Sequence, residues 1–97
     1  MRTRRPAGQF KKDYKRECKG KSSVYVAKLD ADLATVAAIL VNDGTLEDSH
    51  RDHALTGRWK NHRDCHVRPD LVLIYRKPDD STLELVRLGS HSELGLK

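Results

Sequence analysis

Residues 71–75, Leu-Val-Leu-Ile-Tyr, form an uninterrupted apolar run between two turn signals, Arg68-Pro69-Asp70 and Lys77-Pro78-Asp79-Asp80-Ser81. A short apolar run bounded in this way predicts a central strand buried on both faces. Such a strand needs a partner on each edge and cover on each side, and the flanking segments supply both.

Before it, Arg58 to Val67 alternates: Trp59, Asn61, Arg63, Cys65 and Val67 share one face, and Lys60, His62, Asp64 and His66 the other. After it, Thr82 to Leu88 reads as the last strand. Tight turns between three strands predict an antiparallel meander over 58–92, in which the first and third strands run the same way. His66, Asp70 and His91 then fall along one edge of the sheet. His66 and His91 flank the middle strand at roughly 10 Å, two strand spacings. Arg87, four residues before His91, faces the same side if the chain stays extended.

The first 45 residues carry a basic segment and two helices. Met1 to Pro6 reads as a short leading strand. From Gly8 to about Lys19 the apolar positions Phe10, Tyr14 and Cys18 recur every four residues, which predicts a helix that ends at Gly20. A second helix shows Leu29, Leu33, Val36, Ala37 and Leu40 as its stripe. Asp30 reads as its N-cap and Asn42-Asp43-Gly44 as its stop. Residues 44–58 read as a loop.

Composition narrows the class. The chain is 37% hydrophobic and 34% charged, which suits one folded domain over 1–97. No apolar run is long enough to cross a bilayer and no hydrophobic stretch follows the basic start, so the expected location is cytoplasmic. The net charge of +5 is uneven: residues 1–21 hold nine Lys/Arg against two carboxylates, a local +7. Concentrated positive charge favours a polyanion such as nucleic acid, in an association that weakens with salt. Cys18 and Cys65 form no CxxC pair and read as reduced, packed thiols.

Four of the five histidines lie between residues 50 and 66, and the fifth is His91. Histidines beside carboxylates and arginines, with no Ser or Cys tied to a base, suit RNA cleavage by transesterification. The RNA 2′-hydroxyl is then the nucleophile, so the protein supplies only a base, an acid and cations for the phosphorane. Two other readings exist for these side chains. The pairs His50/His53 and His62/His66, with Cys65 and Asp70 near, offer zinc donors, but their spacing matches no standard finger. Alternatively each ring merely bonds a backbone carbonyl, the preferred reading for His50 and His62.

The run Asp52-His53-Ala54-Leu55-x-Gly57-x-Trp59-Lys60-x-x-Arg63-Asp64-x-His66-Val67-x-Pro69-Asp70, followed by Leu73-Ile74-Tyr75, resembles the YafQ branch of the RelE-type bacterial toxins. So does the closing Arg87-x-Gly89-x-His91-Ser92-Glu93-Leu94. The resemblance is strong over 48–95 and looser over the helices. It implies an α+β fold of order β-α-α-β-β-β, mostly antiparallel, with two helices on one face of the sheet and an RNA site on the other.

It also implies a ribosome-dependent mRNA endoribonuclease of a type II toxin–antitoxin pair, free of metal and cofactor and neutralised by a cognate antitoxin. Its partners would be the ribosome, at the 16S rRNA of the A site, and mRNA. Operator DNA would be met only through the antitoxin complex, and no membrane is involved. The carried-over positions are His53, His66, Asp70 and His91, with Asp64 and Arg87 in support. His91 is then the general acid and His53 the general base. His66 and Asp70 orient the RNA and stabilise the transition state, and Arg87 meets the phosphate. Arg2, Arg4, Arg5, Lys11, Lys12, Lys15, Arg16, Lys60 and Arg63 become candidate contacts to RNA or the ribosome. The runner-up is a non-catalytic protein of this type that binds only RNA or an antitoxin. One departure is Gly95, which stands where the relatives carry an aromatic; base stacking by such a residue is worth about 1–3 kcal/mol.

Overall fold

The computed structural model describes residues 1–96. In chain order it contains β1 (Thr3–Pro6), α1 (Gly8–Cys18), α2 (Ser23–Val41), β2 (His53–Ala54), β3 (Arg63–Arg68), β4 (Leu71–Arg76) and β5 (Thr82–Gly89). Single 3₁₀ turns at Asp48–His50 and Gly57–Trp59 flank β2. The strands form one sheet in the order β1-β5-β4-β3-β2, antiparallel throughout except for the parallel pair β1·β5. This is the expected α+β arrangement, but the meander runs from Arg63 to Gly89 and not over 58–92, and the two-residue β2 falls inside the segment read as a loop.

Strand β4 lies at the centre, and Leu71 to Tyr75 are all buried. Alternation divides them between two apolar layers. Leu73 and Tyr75 join Phe10, Leu29, Val36, Leu40, Cys65, Leu83, Leu85 and Leu88 in the core beneath the helices. Val72 and Ile74 point the other way, against Leu94, Leu55, Trp59, Val86 and Leu96. Leu73 is 1% exposed, so Leu73→Ala should cost about 2–5 kcal/mol through lost transfer energy and a residual cavity. Urea unfolding measures this, and a loss below about 1 kcal/mol would mean that β4 is not the centre of the core.

Two element boundaries differ from the sequence reading. Helix α2 starts at Ser23, capped by Ser22, whose Oγ accepts the Tyr25 N–H at 3.1 Å. Asp30 is therefore inside the helix and not its N-cap; its carboxylate accepts the Tyr14 hydroxyl and ties α2 to α1. Strand β3 begins at Arg63 and not at Arg58, because Trp59 closes a 3₁₀ turn and Asn61 takes φ +70°. Only Asp64 and His66 of the expected polar face belong to the sheet. The stop of α2 is as read: Asp43 turns left-handed at φ +56°, and Gly44 donates its N–H to the Ile39 carbonyl at 2.9 Å.

Candidate active site

The sheet face turned away from the helices carries the histidines. Strand register places His53 opposite Asp64, Asp64 opposite Ile74, and His66 opposite Val72, which faces Gly89. Paired residues project to the same side, so His53, Asp64 and His66 share the face of Val72 and Ile74. Beyond Gly89 the chain turns and brings His91 back over this face. The His66 and His91 rings converge to 5.0 Å between centroids, closer than the spacing of their strands.

His53 reaches the site through contacts that no periodicity announces. Tyr75 Oη donates to Asp52 at 2.6 Å and Arg63 Nε donates to the same oxygen at 3.2 Å, anchoring the loop to β4 and β3. Arg51 takes φ +48°, a left-handed conformation that a non-glycine residue adopts at a cost. Its carbonyl accepts His53 Nδ1–H at 2.8 Å. His66 Nδ1 lies 3.2 Å from the Pro69 carbonyl. A carbonyl only accepts, so each ring carries a proton on Nδ1, and in its neutral form offers the Nε2 lone pair. His50 and His62 bond backbone carbonyls as expected, those of His66 and Lys60 at 2.7 and 3.0 Å.

Asp64 sits beneath these rings, 1% exposed. His53 Nδ1 is 3.1 Å from its Oδ1, but that N–H is aimed at Arg51, so Oδ1 is buried with no hydrogen bond. Burial pushes the Asp64 carboxyl above its usual range, and the nearby His53, His66 and His91 rings oppose the shift. Trp59 Nε1 is likewise buried and unbonded, and Trp59 packs on the same face. Cys65, on the opposite face, is fully buried with its thiol pushed up to about 12 by that burial, which suits packing and not nucleophilic attack. Among the described residues no three His, Cys, Asp or Glu side chains are grouped to hold a metal ion.

The remaining candidates divide. Asp70 is exposed in the β3–β4 turn and lines a cleft of about 310 Å³ with Glu17, Tyr25, Arg68, Ser90 and Glu93, a cleft that none of the histidines lines. Arg87 stands opposite Ile74, at a bulge in β5, so its side chain starts on the site face. The reason given by spacing fails, because the chain is extended only to Gly89, and the guanidinium turns to Asp13 of α1, with Nε 2.7 Å from Oδ2. Arg2 is spent inside the fold, 13% exposed and bonded to Asp43 at 2.9 Å. Arg16 is paired with Asp13 and Glu93, Arg5 with Glu84, and Arg63 with Asp52. Arg4, Lys11 and Lys15 line a groove of about 430 Å³ with Phe10, Leu33 and Leu73, away from the histidines. Lys12 and Lys60 are exposed. Sequence reasoning missed Asp13, whose one signal is its place three residues after Phe10 on the inward side of a basic helix.

Gly95 takes φ +70°, where an aromatic residue would be strained, and Leu96 N–H closes the turn on the His91 carbonyl at 2.8 Å. Leu96 packs against the Val72–Ile74 layer.

The model of the family described as a bacterial toxin of type II toxin–antitoxin systems, YafQ, matches residues 2–96. The mRNA interferase toxin YafQ of Escherichia coli K12 is 36% identical over 89 residues, 91% of this chain and 89% of that one. A Haemophilus influenzae protein bearing the YafQ name is 42% identical over 66 residues, 65% of either length. In the E. coli DinJ–YafQ complex the toxin superposes with a TM-score of 0.77 at 34% identity, over 97% of this chain and 98% of that one. The chain belongs to the YafQ toxin family.

Proposed function

We propose that the chain is an mRNA interferase that acts on mRNA in the ribosomal A site by transesterification and is neutralised by a cognate antitoxin. The observation that carries this reading is the placement of His53, His66 and His91 around one buried carboxylate, with His66 and His91 at 5.0 Å. Relatives named as mRNA interferases and as partners of an antitoxin support it.

In the step itself His53 Nε2 takes the proton of the 2′-hydroxyl, whose oxygen attacks the adjacent phosphorus. The bond to the 5′-oxygen breaks, and His91 returns a proton to that oxygen, leaving a 2′,3′-cyclic phosphate and a free 5′-hydroxyl. His66 and Asp70 orient the strand, and Arg87, whose Nε and Nη2 are held by Asp13, has Nη1 left to meet the phosphorane charge. No metal enters. Lys12, Lys60 and the groove cations Arg4, Lys11 and Lys15 are the contacts left to ribosomal RNA, in the cytoplasm where translation occurs. Operator DNA is approached only through the antitoxin.

The chemistry is tested by replacing the nucleotide 5′ to the cut with its 2′-deoxy form. Cleavage should fall to background, while EDTA treatment of the protein before assay should leave it unchanged. Persistent cutting of the deoxy substrate, or loss with EDTA, would overturn the mechanism and favour a metal-dependent hydrolysis.

A further inference from the structure

Helix α1 presents Lys11, Lys12, Lys15 and Arg16, yet its one inward carboxylate, Asp13, is 1% exposed. It lies where the sheet needs it. Strand β1 pairs with β5 only as far as Leu85, the last contact being Ala7 N–H on the Leu85 carbonyl at 2.8 Å. Past that point the outer edge of β5 has no strand partner, and a buried N–H without an acceptor is costly. Asp13 Oδ2 accepts the Leu88 N–H at 3.0 Å and Arg87 Nε at 2.7 Å. Its Oδ1 accepts Arg16 Nη1 at 3.1 Å and Gln9 Nε2 at 3.2 Å. Burial alone would raise this carboxyl; the Arg87 guanidinium and the Leu88 and Gln9 donors outweigh it and hold it below the usual range.

The same network brackets His91. Arg16 Nη2 donates to the Leu88 carbonyl at 2.8 Å, and Arg16 Nε lies 3.4 Å from Glu93. Glu93 accepts the Ser90 N–H at 2.8 Å, while Ser90 Oγ accepts the Glu93 N–H at 3.1 Å, a reciprocal box with His91 inside it. Gly89 leaves the passage open: a Cβ there would stand 2.8 Å from Arg16 Nη2.

We propose that Asp13 is a positioning residue for RNA cleavage, fixing the Arg87 guanidinium and the exit of β5 so that His91 is held beside His66. It touches no substrate and acts through Arg87, and this role rests on the ribonuclease reading above. Misplacing a reacting group by about 1 Å costs on the order of 10²-fold in rate.

Asp13→Asn keeps a carbonyl acceptor for Leu88 and drops the charge that holds Arg87. Single-turnover cleavage should fall about 10–100-fold in kcat with KM changed by less than about twofold. The His91 ring signals in ¹H–¹³C spectra should move and those of His53 stay. In an Arg87→Gln background Asp13→Asn should change the rate by less than about twofold. Wild-type kcat in folded Asp13→Asn, unmoved His91 signals, or additive losses would overturn the proposal. Should the single variant not fold, the neutral pair Asp13→Asn/Arg87→Gln is compared with Arg87→Gln alone. Equal rates support the role, and a further tenfold loss contradicts it. If the wild-type chain itself does not cut RNA the ribonuclease reading fails, and the His91 signals still decide whether Asp13 positions that ring.

Discussion

His91→Ala and His53→Ala should each lower RNA cleavage by about 10²–10⁴-fold, the usual worth of one acid or base, with the thermal midpoint unchanged within about 2 °C. Neither ring belongs to either apolar layer, so truncation removes chemistry without opening a cavity. The two losses should not add, since on the proposed mechanism base and acid act in one displacement and the second removal acts on a step already slowed. Rates from a pre-cleared protein and midpoints from circular dichroism check both halves. A folded variant that cuts like wild type would move that histidine out of the chemistry and favour a protein that only binds RNA or an antitoxin.

Asp64→Asn should separate activity from stability. A buried carboxylate whose Oδ1 makes no hydrogen bond is a cost to the fold that the three imidazoles around it offset only in part. Because burial raises its pKa in the folded chain above the unfolded value, its charged form disfavours folding. Stability from this group is full at pH below the unfolded value near 3.8 and is lost as pH rises through the higher folded value. The isosteric amide has no such dependence. At pH 7 Asp64→Asn should therefore raise the midpoint. On the proposed mechanism cleavage should fall about 10²-fold, through loss of the negative charge beside the three imidazoles. A variant both less stable and fully active would contradict this reading of Asp64.

The parts of the fold that were legible rest on local rules. The apolar run of β4 and the turns around Pro69 and Pro78 set the meander, which puts His66 and His91 about two strand spacings apart; the turn beyond Gly89, which no local rule marked, closes the rings to 5.0 Å. The stripe from Leu29 to Leu40 set α2, but its first turn carries the exposed Val24, so no stripe marked where the helix begins. The parts that were not legible are tertiary. His53 depends on a two-residue strand, a left-handed Arg51 and the Asp52–Tyr75 bond, none of which leaves a period in the chain. Arg87 was placed by counting along an extended strand, and the turn after Gly89 broke the count. Basic residues read as free contacts included Arg2 and Arg16, because charge density says nothing about partners that arrive from 41 or 77 positions away.

The most direct test adds the purified protein to ribosomes programmed with a defined mRNA and maps new 5′ ends, with His91→Ala alongside. The account predicts cuts confined to the A-site codon, carrying 5′-hydroxyl ends and absent in the variant. Intact mRNA with folded wild-type protein, or equal cutting by His91→Ala, would contradict it.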